Sequence, residues 1–375
     1  MKLACCLFNY FPFGGLQRDF FRIGEVCIKR GHTVDVYTMG WEGAAPTGMT
    51  IHLLPSKKWQ NHQRIREFVE QLQPHLVAHR YDVVIGFNKM PGIDVYYAAD
   101  TCFQAKARKR HGAWYRLTPR YRQLVAYEKA VFTKQARTNI LFLSPDAEAE
   151  FHRFYQTPSS RCHLLPPGIA MDRKTPLHAH SVRQCKRQEL HLSENEFLFM
   201  MVGSGFKTKG LDRILRGFAA LPEEIQQRSQ LAIVGQDDAK PFKRQALRLK
   251  IAHKITFLGG RKDVPALLLA ADALLHPAYN ENTGTVLLEA VIAGLPVLTT
   301  DVCGYADYIL KSDTGLVLPS PFRQTEFNQA MIAMVSSPNR KNWQQNGRAF
   351  AETANIYSMP ERAVDFIESF GRTIA

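Results

Sequence analysis

Residues 279–298 have the sequence YNENTGTVLLEAVIAGLPVL. A polar start gives way, after Gly284, to a long apolar run. Because glycine interrupts helical periodicity, this pattern predicts an irregular loop followed by a buried helix and then by a strand. Glu281 should therefore lie in the loop, and Glu289 should lie on the helix.

These two glutamates suggest a ligand as well as a fold. A carboxylate can accept two hydrogen bonds from a vicinal diol. Two carboxylates that face different parts of one extended ligand suit a nucleotide sugar, which has one diol on the hexose and another on the ribose. The alternative is that Glu281 is a solvated loop acid and Glu289 is a helix-surface acid.

The length and the order of apolar runs predict two domains. A chain of 375 residues with 45% hydrophobic composition can form two cores. Strand, glycine loop, helix and strand alternate from the first residues onward, which is typical of α/β folds with parallel sheets. We predict a Rossmann-like domain over 1–168, a second one over 169–357, and a C-terminal helix near 358–375 that returns to the first domain.

The same pattern predicts where ligands bind. Ligands of open parallel sheets bind at the carboxyl ends of the strands, so a deep cleft between the two domains is the expected site. The polar stretch 172–194 has no clear apolar period, and we interpret it as a linker.

The formal net charge of +14 indicates a polyanionic partner. Much of this charge lies in residues 104–137, which contain one acid, Glu128, and several interleaved rings. This composition favours an anionic membrane surface with its glycolipids, whereas a nucleic-acid partner or a merely solvated basic face are the alternatives. The residues assigned to this membrane and acceptor patch are Lys106, Arg108, Lys109, Arg110, Trp114, Tyr115, Arg116, Arg120 and Arg122.

Cysteine usage and apolar length limit the class of protein further. The seven cysteines are scattered, odd in number and without paired metal-ligand spacing, which is typical of reduced thiols in a cytosolic protein. No uninterrupted apolar stretch approaches the ~20 residues that span a bilayer. We expect the protein to be cytoplasmic and to meet the inner face of a membrane only peripherally.

Two glycine loops have the composition of phosphate-binding loops. Gly14 and Gly15 follow the first predicted strand and open a helix, where backbone N–H groups can face an anion. The second loop, 202–210, has the sequence VGSGFKTKG. It fails the dinucleotide fingerprint at Thr208 and the P-loop pattern at Leu211. It is either a basic loop that delivers lysine charge to a diphosphate or an ordinary glycine-rich turn.

Together these motifs resemble a known family. The Gly14-Gly15 loop, the lysine loop 202–210 and the glutamate pair with its following glycine and proline resemble the GT-B glycosyltransferases of retaining family 4. Stretches 10–20, 86–92 and 276–279 are most similar to the members that act on the inner core of bacterial lipopolysaccharide. The resemblance extends over nearly the whole chain.

The resemblance implies the substrates. The donor would be a UDP-sugar, UDP-glucose by default, and the acceptor would be a heptose of the phosphorylated lipopolysaccharide core. A galacto- or amino-sugar donor, another acceptor, or a UDP-sugar epimerase of the same fold are the alternatives.

The resemblance also implies roles for individual residues. Glu289 would hold the ribose hydroxyls and Glu281 the hexose hydroxyls, while Lys209 and Arg173 would neutralise the diphosphate. Asp100 matches a family carboxylate near the reacting sugar. The implied catalytic residues are Asp100, Glu281 and Lys209. The implied substrate-binding residues are Gly14, Gly15, Asp19, Arg173, Lys207, Lys209, Arg261, Glu281, Gly284, Thr285 and Glu289.

The chemistry implied by the family is transfer of an α-linked hexose with retention at the anomeric carbon. No Asp-x-Asp motif stands beside the sugar-binding loop. Basic residues can replace a metal ion at a leaving diphosphate, so no metal and no cofactor are expected.

Overall fold

A computed structural model describes residues 1–12 and 14–374 of the chain. Within this part the strands are β1 Lys2–Cys6, β2 Asn9–Tyr10, β3 Thr33–Thr38, β4 Gly40–Trp41, β5 Met49–Leu53, β6 Val83–Gly86, β7 Val95–Ala98, β8 Asn139–Phe142, β9 Cys162–Leu164, β10 Phe197–Val202, β11 Ser229–Val234, β12 Ile255–Gly259, β13 Ala273–His276, β14 Val297–Thr300 and β15 Gly315–Leu318.

The helices alternate with these strands. They are α1 Gly15–Lys29, α2 Asn61–His79, α3 Phe103–Arg110, α4 Pro119–Phe132, α5 Pro145–Tyr155, α6 Ala179–Glu189, α7 Leu211–Ala219, α8 Glu223–Gln227, α9 Lys240–Arg248, α10 Val264–Ala270, α11 Thr285–Ile292, α12 Ala306–Lys311, α13 Gln324–Ser336, α14 Arg340–Thr353 and α15 Met359–Ile374. Short 3₁₀ turns lie at Ala113–Leu117, Ser159–Arg161, Met171–Arg173 and Ala252–Lys254.

The chain divides into two compact units. The first comprises Met1–Gly168 together with Tyr357–Ala375, and the second comprises Ile169–Ile356. The sequence predicts the domain boundaries at residues 168 and 357. Residue 375, the last of the predicted terminal helix, lies outside the described residues.

The first unit is built on a parallel sheet in the order β5-β3-β1-β6-β7-β8-β9. Strand β1 shows why helices cover both faces, because successive side chains of a strand point to opposite sides. Leu3 and Cys5 pack in the core cluster that includes α1 and α15. Ala4 and Cys6 pack in the cluster that includes α2, α4 and α5.

The second unit repeats this plan with the sheet order β12-β11-β10-β13-β14-β15, again with parallel neighbours. Phe199 and Met201 of β10 pack with side chains of α7 and α13. Helices α10 and α11 contact the sheet, and α6 and α14 pack against them. The predicted fold class, two Rossmann-like α/β units with parallel sheets, is confirmed.

The predicted linker 172–194 is wrong, because it contains helix α6. Arg187 is buried and donates to an Asp272 carboxylate oxygen at 3.1 Å. Arg183, one turn earlier, donates to the other oxygen at 2.8 Å and to the last carbonyls of α10. Cations at a helix C-terminus satisfy its free carbonyls. A polar segment therefore packs as a helix through charges whose partners are distant in sequence.

Two further features of the chain concern membranes and thiols. Over residues 1–12 and 14–374, no helix is both long enough and apolar enough to cross a membrane. The seven cysteines are free thiols, most of them buried.

Candidate donor site and acceptor-side residues

The lysine loop and the first glutamate of the pair leave neighbouring strands. In the second unit the chain turns one way from β10, through β11 to β12, and the other way from β13, through β14 to β15. Strands β10 and β13 are therefore the topological switch point, where open α/β sheets bind ligands. Loop 203–210 follows β10, and loop 277–284 follows β13.

These two loops touch through their backbones. Gly210 has a φ of +81°, and a β-carbon at this position would overlap the carbonyl oxygen of Pro277. One step away, the N–H of Tyr279 donates to the Thr208 carbonyl at 2.8 Å. Glycine is thus required at 210 both for its backbone angle and for the close approach.

Arg213 of α7 fixes the loop after β13 from behind. Its guanidinium lies between the rings of Tyr279 and Phe322, at 3.5 and 3.8 Å from their centroids. It also donates to the carbonyls of Pro277 and Ala278 at 3.0 and 2.9 Å. Arg213 is buried, so these contacts are shielded from water. The sequence offered no signal for this residue except its place on the helix that follows the lysine loop.

Lys209 and Glu281 meet where the two loops join. The Lys209 ammonium forms an ion pair with Oε2 of Glu281, and the same oxygen lies 3.3 Å from Nε2 of His276. The Glu281 side chain is only 12% exposed, so the solvated-acid alternative is wrong for this residue. His276, the last residue of β13, was not predicted as a site residue.

The protonation states of this cluster follow from burial and charge. Burial acts to lower the pKa of the Lys209 ammonium, whereas its carboxylate partner favours the charged form, so the pair is ionic. Burial, followed by the charge of Lys209, lowers the pKa of His276 to about 3. The imidazole is therefore neutral. Because a carboxylate oxygen only accepts, Nε2 of His276 carries the proton and donates to Glu281.

Glu289 occupies a different part of the second unit. It lies on α11 and is 7% exposed, so the surface-acid alternative is also wrong for it. Glu289, Arg173 and Pro265 line one recess. The recess thus brings together Glu289 and Arg173, which are predicted for the ribose and the diphosphate, beside Pro265, which follows the turn at 260–264.

A larger cavity adjoins this recess but contains none of the predicted residues. Arg183, Leu295, Gln344 and Arg348 are among its lining residues. Leu295 precedes β14, so the cavity lies toward the amino ends of the strands. The smaller recess and the loops at the carboxyl ends form the candidate donor site, because that is where parallel sheets bind ligands.

Helix α11 begins as predicted. Gly284 has a φ of +80° and forms its N-cap, and Thr285 is its first residue. No side chain caps this end. The first backbone N–H groups of a helix can therefore serve an anion. Glu281 lies just before the helix, where it forms an isolated bridge with Cys303, so its predicted loop position is confirmed.

Two of the residues predicted to bind the donor, Lys207 and Arg261, lie outside the Lys209–Glu281 cluster and the recess. Lys207 is exposed at the surface of its loop. Arg261 donates to both carboxylate oxygens of Asp263 at 2.7 Å and to Glu189 at 2.8 Å. Hydrogen bonds from Arg261 lower the pKa of Asp263. The guanidinium of Arg261 is thus already paired, and the turn can offer a ligand its backbone.

The predicted residues of the first unit lie at the carboxyl ends of its strands. Gly14 is the N-cap of α1 and Gly15 its exposed first residue. Asp19 accepts a hydrogen bond from the Tyr97 hydroxyl at 2.8 Å. Asp100 is exposed, two residues after β7.

The basic segment forms α3, a 3₁₀ turn and α4. Trp114 is 82% exposed. Tyr115, however, is half-buried, and it stacks on His111 and packs against Tyr121. The exposed cations are Lys106, Arg108, Lys109, Arg116, Arg120 and Arg122. The side chain of Arg110 lies outside what the structure describes.

The single acid of this segment is internal. Glu128 is fully buried and accepts hydrogen bonds from Lys89 at 2.7 Å and from the backbone N–H groups of Phe103 and Gln104 at 2.8 and 3.0 Å. It therefore holds the start of α3. Because its charge is neutralised inside the unit, it does not offset the cations outside.

Comparisons with known proteins assign the family. The family model "Glycosyltransferase Family 4" matches residues 13–173, and "Glycosyl transferases group 1" matches residues 182–350. The chain is 45% identical over 368 residues to the lipopolysaccharide glucosyltransferase WaaG of Escherichia coli (strain K12), covering 98% of both chains. A D-inositol 3-phosphate glycosyltransferase of Jonesia denitrificans is 25% identical, over 62% of this chain and 57% of its own.

Solved structures agree with this assignment. The crystal structure of WaaG superposes with a TM-score of 0.94 at 45% identity, covering 97% of this chain and 99% of that one. Anabaena HepE, solved with UDP and glucose, shares the fold at a TM-score of 0.75 and 17% identity, covering 98% and 100%. The chain therefore belongs to glycosyltransferase family 4 and is a glycosyltransferase of GT-B fold. The epimerase and nucleic-acid alternatives are set aside.

The contacts of Arg213 lead to a stability prediction. Replacing Arg213 with methionine removes two charge-assisted hydrogen bonds and both ring contacts, so the opening free energy of the β13 amides should fall by about 2–4 kcal/mol. Native-state hydrogen exchange measures this quantity. Arg216→Met is the control, because Arg216 lies one turn later on α7 in an exposed pair with Asp212, and its loss should cost at most about 0.5 kcal/mol. Equal losses in the two variants would contradict the role of Arg213.

Proposed function

We propose that this glycosyltransferase moves glucose from UDP-glucose to a heptose of the lipopolysaccharide inner core, with retention at the anomeric carbon. The observation that carries the proposal is the 45% identity to WaaG across 98% of both chains. The clustering of Lys209 with Glu281, and of Arg173 with Glu289, supports it from within the structure.

In this proposal the donor extends across both clusters of the second unit. Glu289 accepts hydrogen bonds from the ribose hydroxyls in the recess, and Arg173 lies at the diphosphate. Lys209 also reaches the diphosphate, whereas Glu281 accepts hydrogen bonds from hydroxyls of the hexose. Lys209 and Glu281 are paired with each other before the donor binds. Donor binding therefore replaces an existing ion pair with contacts to the substrate.

The proposed reaction is a front-face displacement. The acceptor hydroxyl attacks the anomeric carbon on the face from which the phosphate leaves, and the bond from that carbon to the diphosphate breaks. The departing phosphate oxygen takes the proton of the attacking hydroxyl, so no protein nucleophile is needed. The protein positions the two substrates and stabilises the charge that develops on the diphosphate. Asp100 is proposed to lie near the reacting sugar.

Metal independence is part of the proposal. A divalent ion would stabilise charge on the leaving diphosphate. In this proposal Lys209, Arg173 and the N–H groups at the start of α11 supply that stabilisation instead. Lys209 is largely buried, so its charge acts in a low-dielectric environment, where electrostatic stabilisation is stronger than in water.

The basic segment is proposed to dock on an anionic membrane, where a lipopolysaccharide acceptor would be presented. Its described cations are exposed, its one acid is buried, and Trp114 is 82% exposed. Exposed lysines and arginines next to an exposed ring are typical of a membrane interface. A second such loop follows β5 in the same sheet, where Trp59 is 95% exposed beside Lys57 and Lys58. Both segments leave carboxyl ends of parallel strands, and therefore the same edge of the sheet.

The reaction itself is tested with defined substrates. We expect the protein to convert UDP-glucose and a heptose-terminated core acceptor into UDP and an α-glucoside, in the presence of EDTA and without added divalent ions. Proton NMR of the product reports the anomeric configuration. UDP-galactose and UDP-N-acetylglucosamine are the competing donors. A β-linked product, or activity that is abolished by EDTA and restored by Mg²⁺ or Mn²⁺, contradicts the mechanism, and preference for another donor contradicts the glucose assignment.

The two glutamates should separate nucleotide from sugar recognition. Glu289→Ala should weaken UDP and UDP-glucose alike, by about 1.5–3 kcal/mol, because the contact is to ribose. Glu281→Ala should leave UDP affinity unchanged but depress transfer. Calorimetry with UDP and with the intact donor measures both effects, and Glu326→Ala, an acid on α13, is the control. Equal loss of UDP affinity in the two variants would rule out this division of roles.

Membrane docking should depend on where the charges lie. Replacing Lys106, Arg108, Lys109 and Arg110 with glutamine should weaken binding to phosphatidylglycerol vesicles at least about tenfold, since each cation contributes on the order of 1 kcal/mol. UDP affinity should not change. The matched control removes the same charge from α9, at Lys240, Lys243, Arg244 and Arg248. Vesicle sedimentation at low and high salt is the measurement, and equal effects of the two sets would refute a localised docking surface.

A further inference from the structure

The Glu281 carboxylate has two partners that differ in mobility. Lys209 reaches it with a long side chain from a loop, and that side chain, although largely buried, remains 22% exposed. His276 reaches the same oxygen from the end of strand β13. Of these two partners, His276 is the one anchored firmly enough to set the direction of the Glu281 carboxylate when a sugar donor is bound.

The position of His276 is restrained at its backbone, at its carbonyl and at its side chain. Its backbone pairs with Thr299 of the neighbouring strand, and the Thr299 hydroxyl donates to its carbonyl at 3.0 Å. Its side chain is 1% exposed. Because the rotamers of a buried ring at a strand end are restricted by packing, the direction of Nε2 is set by the fold.

The hydrogen bonding of His276 is one-sided. Its Nε2–H donates to Glu281, which makes Nδ1 a bare acceptor, and Nδ1 has no hydrogen-bond partner in the part of the chain that the structure describes. A buried polar atom without a partner costs roughly 1–3 kcal/mol. An apolar ring would avoid that cost, so stability alone does not account for a histidine here.

The partners of Lys209 must change in the course of the proposed reaction. On the proposed function, the Lys209 ammonium turns toward the diphosphate, which carries more negative charge than one carboxylate. Glu281 would then lose its ion-pair partner just when it has to face the hexose. A neutral N–H donor on a rigid strand keeps the carboxylate in place without neutralising its charge.

We propose that His276 is a positioning residue for the sugar site: its Nε2–H holds one oxygen of Glu281 and so directs the carboxylate toward the hydroxyls of the donor hexose. This deepens the proposed function, because it assigns sugar recognition to a Glu281–His276 pair and leaves Lys209 to the diphosphate. His276 itself touches neither reacting atom in this assignment.

Two substitutions at 276 separate positioning from packing. His276→Phe keeps a ring of similar size and removes the N–H, and it should cost little stability because it also removes the unpaired Nδ1. His276→Gln can place an amide N–H where Nε2 lies. The affinity of UDP-glucose relative to UDP, measured by calorimetry, should fall roughly tenfold to a hundredfold in the phenylalanine variant and recover in the glutamine variant. UDP affinity itself should not change.

Two controls complete the comparison. Thr300→Val removes a hydroxyl from the same strand end that donates to the Ala278 carbonyl rather than to His276, and it should leave the ratio of affinities unchanged. Lys209→Met should weaken UDP and UDP-glucose together. The inference is overturned if His276→Phe weakens UDP itself, if it leaves the ratio unchanged, or if glutamine does not restore what phenylalanine loses.

A second measurement does not depend on the identity of the donor. In the full-length protein, ¹⁵N NMR of the imidazoles should show the His276 ring neutral and protonated at Nε2, with its signals assigned by their loss in His276→Gln. Glu281→Gln should shift the Nε2 resonance. A ring protonated at Nδ1, or one insensitive to Glu281, would disprove the positioning role even if UDP-glucose proves to be the donor. If wild-type protein instead does not use UDP-glucose while the NMR result holds, the proposed donor is wrong and the Glu281–His276 pair stands.

Discussion

The donor side of this glycosyltransferase depends on one close backbone approach. The loop after β10 and the loop after β13 meet where Gly210 packs against the carbonyl of Pro277, in a space that no β-carbon can share. The left-handed backbone angle at Gly210 is also one that other residues rarely adopt. Because the loops are in contact here, Lys209 at the end of one reaches Glu281 in the other.

The close approach of the loops produces a site whose charges are already paired. Lys209 is bound to Glu281, and Arg261 is bound to Asp263 and Glu189. A buried lysine without a partner would tend to lose its proton, so the pairing keeps its charge available. On the proposed function, an anionic donor substrate replaces one partner of Lys209 by another in an organised site, which limits the reorganisation that binding and catalysis require. The neutral imidazole of His276, as a hydrogen-bond donor to Glu281, fits this proposal, since it can stay in place while the ion pair rearranges.

In the first unit, the buried carboxylate of Glu128 has a structural role. Glu128 gathers Lys89, the Tyr155 hydroxyl and the first N–H groups of α3 around one carboxylate. Lys89 also donates to the carbonyl of Thr101 at 2.7 Å, next to Asp100. One internal ion pair thus fixes both the start of the basic helix and the loop that carries a candidate acceptor-side residue. A buried pair of this kind is specific in geometry because each partner would be costly to leave alone.

The alternation of strands and helices and the places of the site loops can be predicted from local patterns in the sequence. Strand β10 is an example, because buried parallel strands are continuous apolar runs and its six residues read FLFMMV. Which charged side chains form pairs depends instead on how the chain folds. Lys209 and Glu281 are 72 positions apart, and Arg187 and Asp272 are 85 apart. Local patterns carry no information on such pairs, which is why α6 was mistaken for a linker and why His276 and Arg213 were missed. Hydrophobic periodicity is a property of neighbouring residues, whereas the partner of a buried charge is fixed only when the sheet brings distant loops to one edge.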